Sequence, residues 1–181
     1  MKIAVDPGHG MSNCRAGVYD PGAVAKAAGE SFAEADIALK YGLSLKYFLD
    51  QEGIGSFMTR TSSADPAYVG LRASRAAKAG CTHFVSLHLN SASEIASGLE
   101  VLYRDESKDR PLAQRFQDKL VGVTGFRDRH VQKRTNLAVL KFKPGPAALI
   151  EFGFINNPAE RAFLIDRDNR IAICKAIIDV L

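Results

Sequence analysis

The strongest constraint on the fold is an alternation that runs the length of the chain. Six short apolar runs, "KIAVD", "SFMTR", "THFVSLHLN", "LEVLYR", "LAVLK" and "AALIEFGF", are separated by five other stretches, three of which are long and carry helical periodicity. Apolar runs of this length between helix-length segments predict strands joined by crossover helices. "THFVSLHLN" is nearly continuous in apolar residues, which suits a central strand covered on both faces. Ala33 to Asp50 predicts a helix with Ile37, Tyr41, Leu45 and Phe48 on one stripe, Ser31 or Phe32 at its N-terminal edge and Gly53 as its stop. Residues 66–79 predict a second helix, with Pro66 near its first turn and Gly80 after its end. Residues 109–122, Pro158–Ile165 and Asn169–Leu181 complete the helical set. No repeat, low-complexity tract or linker interrupts the pattern. The reading is therefore one α/β domain over residues 1–181, with a mixed, mostly parallel sheet of about six strands and helices on both faces.

A chain of 181 residues with 46% hydrophobic content can build one sizeable core without covalent staples. Its cysteines, Cys14, Cys81 and Cys174, are odd in number and far apart, which gives neither a cysteine metal site nor a disulfide framework. Free thiols fit synthesis in a reducing compartment. Cys81 and Cys174 sit among apolar residues and read as small core side chains. The opening "MKIAVDPGHG" has one basic residue and an apolar stretch too short for a signal peptide, and nothing approaches transmembrane length. Cytoplasmic synthesis without stable membrane insertion is expected. The net charge of +4 suits an anionic polymer. The basic and aromatic interleaving of single-strand binders is missing, which disfavours nucleic acid and leaves an anionic wall polymer or none.

Four polar residues stand out. In "DPGHG", Pro7 ends the first strand and His9 sits between two glycines, offered outward on a stiffened loop. His88 ends the apolar run "FVSL", followed by Asn90 and Ser91. Glu151 interrupts "ALI" and "FGF", where an uncompensated carboxylate is costly. Glu34 lies in the first turn of the first long helix, where the helix dipole alone would favour it. If the first and third strands are parallel, His9 and His88 emerge on the same sheet edge. Two histidines and one carboxylate make a common catalytic zinc set, and a second carboxylate is then free as general base. On the residues alone, either Glu34 or Glu151 could be the ligand and the other the base. The bland alternative pairs Glu151 with a buried cation such as Arg60 or Arg72. His83 begins its strand, at the end opposite His88, and His130 falls in "FRDRHVQKRTN", which reads as a polar loop.

The order of "VDPGHG", "DPGA", "FAEADIALKYGLSLKYFL", "MTR", "FVSLHLNSA", "GLEVLY" and "ALIEFGFINNPAE" resembles the zinc-dependent N-acetylmuramoyl-L-alanine amidases of autolysins and phage endolysins, over nearly the whole chain. The resemblance implies one zinc ion per chain held by His9, Glu34 and His88, with Glu151 as catalytic acid/base and bacterial peptidoglycan as partner and substrate. Asn90 is expected to hold the substrate or orient a ligand, and the chain to act as a monomer. The chain departs from the family pattern in the longer segment "MSNCRAGVY" between "GHG" and "DPGA", expected to reshape access to the site, and in Leu89 at the centre of the HxN motif. Neither wall-binding repeats nor a helical regulatory insertion is present, which with the lack of a leader points to a phage or prophage endolysin that reaches the cell wall after release. Two rivals are a metallo-carboxypeptidase-like enzyme, with Arg60, Arg72 or Arg134 fixing a terminal carboxylate, and a catalytically silent zinc-bearing wall-binding module.

Overall fold

The first strand, β1 (Lys2–Pro7), lies inside a six-stranded sheet in the computed structural model, which describes residues 1–181. Two small hairpins follow, β2 (Gly10–Met11) with β3 (Tyr19–Asp20) and β4 (Val24–Ala27) with β5 (Glu30–Ala33), and then α1 (Glu34–Gln51). The chain continues through β6 (Gly55–Met58), α2 (Val69–Lys78), β7 (His83–Asn90), β8 (Leu99–Tyr103), α3 (Arg110–Thr124) and β9 (Asp128–Lys133). After a 3₁₀ turn at Val139–Lys141 come β10 (Ala147–Phe154), α4 (Pro158–Ile165) and α5 (Arg167–Val180). The sheet order is β6-β1-β7-β10-β8-β9. Only the β10–β8 pairing is antiparallel, so the sheet is mixed and mostly parallel, as the alternation predicts. No helix is long and apolar enough to cross a membrane.

Side chains alternate between the two faces of each strand, which gives the sheet two unequal cores. Ile3, Val5, Val85, Leu87, Ile150 and Phe152 face α1, α3 and α5. Ala4, Phe84, Leu102 and Leu149 face only α2 and the 3₁₀ turn. The second layer stops short of the strand ends, and the sheet face beyond it carries polar residues.

Two sequence expectations change. "LAVLK" is not a strand: it forms the 3₁₀ turn, which drops Val139, Leu140 and nearby Phe142 onto the smaller core. An apolar run of this length is compatible with any segment buried on one side, so its pattern does not specify a strand. The segment read as a polar loop around His130 instead forms the edge strand β9. Val131 is its one apolar anchor against the core, and the remaining side chains are polar, as suits a strand with one edge in water.

The extended segment between "GHG" and "DPGA" is tied down. The Ser12 N–H donates to the Val18 carbonyl at 2.9 Å, and the carbonyls of Met11 and Asn13 accept from Ala67 and Val69 at 3.0 Å each. The loop thus satisfies backbone donors at the start of α2, which has no side-chain cap and begins three residues later than Pro66 suggests.

Candidate metal centre

Parallel pairing of β1 with β7 carries His9 and His88 to the same sheet edge. The third group arrives from α1. No side chain caps this helix. Instead its first N–H groups donate to the loop before it, Glu34 to the Ala23 carbonyl at 2.8 Å and Ala35 to Pro21 at 3.0 Å. That docking places the Glu34 carboxylate between the histidines. Its Oε2 lies 3.2 Å from His9 Nε2 and its Oε1 lies 2.8 Å from His88 Nδ1. Two backbone N–H groups fix it further, Leu89 on Oε1 at 3.0 Å and Ala23 on Oε2 at 2.9 Å. The potential donor atoms of His9, Glu34 and His88 all lie within 4.8 Å of one another.

Two glycines permit this crowding. A Cβ at Gly8 would strike the His88 ring. A Cβ at Gly22, where φ is +66°, would sit 2.6 Å from both Glu34 Oε2 and His9 Cδ2. His9 itself takes a φ of 59°, uncommon for a residue with a side chain and typical of sites where surrounding structure over-determines the backbone.

Asp20, in the "DPGA" stretch, shows no role in the sequence alone. Its Oδ2 lies 2.9 Å from His9 Nδ1, also accepts from Asn13 Nδ2 at 2.7 Å, and its Oδ1 accepts from the Gly22 N–H. A carboxylate on Nδ1 fixes the tautomer and ring orientation and leaves Nε2 for a cation. Burial works to lower the His9 pKa, but hydrogen bonds and charge from Glu34 and Asp20 prevail and raise it to about 9. The Glu34 carboxyl is lowered: burial opposes ionisation, and His88 and His9 outweigh it. Two imidazoles and a deprotonated carboxylate, converging and with one ring pre-oriented, suit a zinc ion with an open coordination position.

Glu151 pairs in register with His88 across β10 and β7. It has no cationic partner, and its Oε2 is buried without a hydrogen bond. Burial pushes its pKa up to about 7; the charge of His88 acts against this, and the nearby carboxylates of Glu34 and Glu100 add to it. The cations proposed to neutralise it are engaged elsewhere. Arg72 pairs with Asp6 at 2.9 Å and donates to the carbonyls of Pro7, His9 and Ala67. Arg60 donates to the carbonyls of Pro7, Gly8 and Ala35. Both are buried staples, unable to clamp a substrate's terminal carboxylate. Asn90 donates to Glu100 Oε1 at 2.9 Å and accepts from the Ser91 N–H at 2.8 Å, leaving one N–H of its amide without a protein partner. His83 lies at the far end of β7, and Cys81 and Cys174 are buried and free, whereas Cys14 is exposed.

The chain and its fold are similar to those of known proteins. A family model described as N-acetylmuramoyl-L-alanine amidase matches residues 3–181. The Staphylococcus aureus protein named "Probable cell wall amidase LytH" is 32% identical over 180 residues, covering 99% of this chain and 56% of that protein. The chain thus spans about half the length of the curated relatives it matches. Among solved structures, the catalytic domain of CwlV, an N-acetylmuramoyl-L-alanine amidase from Bacillus (Paenibacillus) polymyxa var. colistinus, superposes with a TM-score of 0.86 at 26% identity, covering 99% of this chain and 94% of that one. The N-acetylmuramoyl-L-alanine amidase from Clostridium difficile 630 gives 0.84 at 29% identity, covering 99% and 93%.

Proposed function

The chain belongs to the N-acetylmuramoyl-L-alanine amidase family, and from that premise we propose that it is a peptidoglycan hydrolase that cuts the amide between N-acetylmuramic acid and the L-alanine of the stem peptide. Residues 1–181 are then one catalytic domain, and His9, Glu34 and His88 hold one zinc ion. When bound, zinc supplies Lewis acidity, polarising an amide carbonyl and acidifying water. The observation that carries the reading is Glu151: a buried, unpartnered carboxyl oxygen, in register with His88, on a residue that no structural ion pair explains.

Glu151 takes a proton from the attacking water as the new carbon–oxygen bond forms, and returns it to the alanine nitrogen as the carbon–nitrogen bond breaks. The products are a lactyl carboxylic acid on the sugar and a free alanine amine. Without that proton an amide anion would have to leave. A carboxyl placed near neutrality by burial can both accept and deliver it, and a cation beside it shifts it further towards the base form. Asp20 holds the His9 ring, and the unpaired amide N–H of Asn90 is assigned to the substrate. All of these groups come from one chain, so the reaction needs no second copy.

Glu151→Gln should bind zinc as the parent does and lose release of alanine amino groups from purified peptidoglycan by several orders of magnitude. Substantial amine release by that variant would remove Glu151 from the reaction. Release of single amino acids in place of alanine-ended peptides would convert the reading to a carboxypeptidase.

A further inference from the structure

The polar sheet face continues past Glu151. Glu151 pairs in register with Glu100 on β8, so the two carboxylates stand side by side on one face. At the next strand the ladder breaks. Leu99 pairs with Asp128 and Val101 with Val131, so Arg129 and His130 together oppose Glu100. This is a β-bulge, and His130 takes a φ of 63° within it. The bulge aims Arg129 at Glu100, its Nε donating to Oε2 at 3.0 Å, while its guanidinium carbon lies 5.1 Å from the centre of the Phe154 ring. Asn90 occupies the other oxygen of Glu100. Asp128 is likewise engaged, by His130 at 3.1 Å and Gln117 at 2.6 Å.

With both carboxylates engaged, two cations remain free. Arg127 and Arg134 are exposed and form no ion pair, and the Arg134 guanidinium donates only to the Lys133 carbonyl. They line, with Arg129 and Glu100, a groove of about 350 Å³ that no apolar residue enters.

We propose that this groove is a carboxylate subsite, which takes an acidic residue of the peptide whose amide lies at Glu151. The proposal rests on the amidase reading. Adjacent strands are about 4.8 Å apart, so β9 lies about 10 Å from β10. An extended peptide advances about 3.3–3.6 Å per residue, so the groove meets the second or third residue beyond the cut bond. Guanidinium forks bind carboxylates through paired charge-assisted hydrogen bonds, and a carboxamide at the same place offers one acceptor and no charge.

The test uses two N-acetylmuramoyl peptides that differ only in carrying carboxylates or carboxamides at the second and third residues. Binding is measured on the Glu151→Gln chain, and cleavage on the parent. The carboxylate peptide should bind roughly 10- to 100-fold more tightly. Adding Arg127→Gln with Arg134→Gln should reduce that preference to about 3-fold or less, with KM and not kcat moving in the cleaving enzyme. Lys78→Gln with Lys141→Gln removes the same charge beside α2 and should leave the preference intact. A preference missing from the parent, surviving the arginine pair or lost equally with the lysine pair overturns the subsite. If preferential binding is found but the parent frees no alanine amine, the groove's preference for a carboxylate stands and the amidase reading falls. If both peptides are cut equally well, the reverse holds.

Discussion

His9 shows how one residue's environment decides its chemistry. Its ring is trapped between Glu34 and Asp20, and only the Glu34 side faces the other candidate ligand. Removing Asp20 leaves the donor set intact but frees the ring to turn. Asp20→Ala is therefore expected to weaken zinc binding by about 10- to 100-fold, measured by competition with a chromogenic chelator. An unchanged affinity would mean that the Asp20 contact does not orient the ligand. The same contacts should make zinc uptake by the proposed site pH-dependent. A histidine raised to about 9 stabilises the metal-free fold fully below its ordinary value of 6.5 and loses that contribution as the pH rises through about 9. Zinc must displace this proton, so its affinity should climb from pH 6 to pH 9 and then flatten, as titrations at several pH values will show. The histidines were legible in the sequence because glycines and a strand end left them little packing value. Glu34 was legible only as one of two candidate carboxylates, since a carboxylate in a first helical turn is also expected on dipole grounds alone. Asp20 was invisible as a partner because only the folding back of β3 brings it to His9.

At the scale of elements, the site depends on how α2 is stapled to β1. Arg72 leaves α2 and reaches Asp6, two carbonyls of the "DPGHG" segment and the Asn13 side chain. Asp6 is itself closed off by hydroxyls from Thr59 on one side and Ser86 on the other. Burial opposes its ionisation, but Arg72 and the two hydroxyls prevail and lower its pKa below the ordinary 3.8. This pair therefore stabilises the fold above that pH and its contribution fades as the pH falls further. Arg72→Met strips the buried carboxylate of its charge partner and should cost about 3–5 kcal/mol in urea unfolding at neutral pH. A loss under about 1 kcal/mol would show that the hydroxyls suffice alone. The sequence announced the strands of this region through their apolar runs, and the helices through their stripes. It did not announce β9, whose single apolar anchor looks like loop composition, nor the 3₁₀ turn, whose apolar run looks like a strand.

On the scale of the whole molecule, the unequal cores explain why the site is open. The larger core seals one sheet face with α1, α3 and α5, while α2 and the 3₁₀ turn leave the end of the other face bare, where His88, Glu151 and Glu100 form a polar row across β7, β10 and β8. Three segments distant in sequence supply the donor set: the end of β1, the start of α1 and the end of β7. A cation held there ties together elements that the unfolded chain scatters, so it binds the native state selectively. At a free zinc concentration about 1,000 times its dissociation constant, the linkage adds about 4 kcal/mol. For a chain of this size each kcal/mol moves the melting temperature by about 2–4 °C, which predicts a rise of about 8–16 °C on loading the metal-free protein. Differential scanning calorimetry with and without a chelator reads this directly. Glu151→Gln should show the same rise as the parent while losing cleavage, because Glu151 stands beside the donor set and not within it. His88→Ala should show a much smaller rise. If Glu151→Gln also lost the rise, Glu151 would be a ligand, and the division of labour between the two glutamates would have to be reversed.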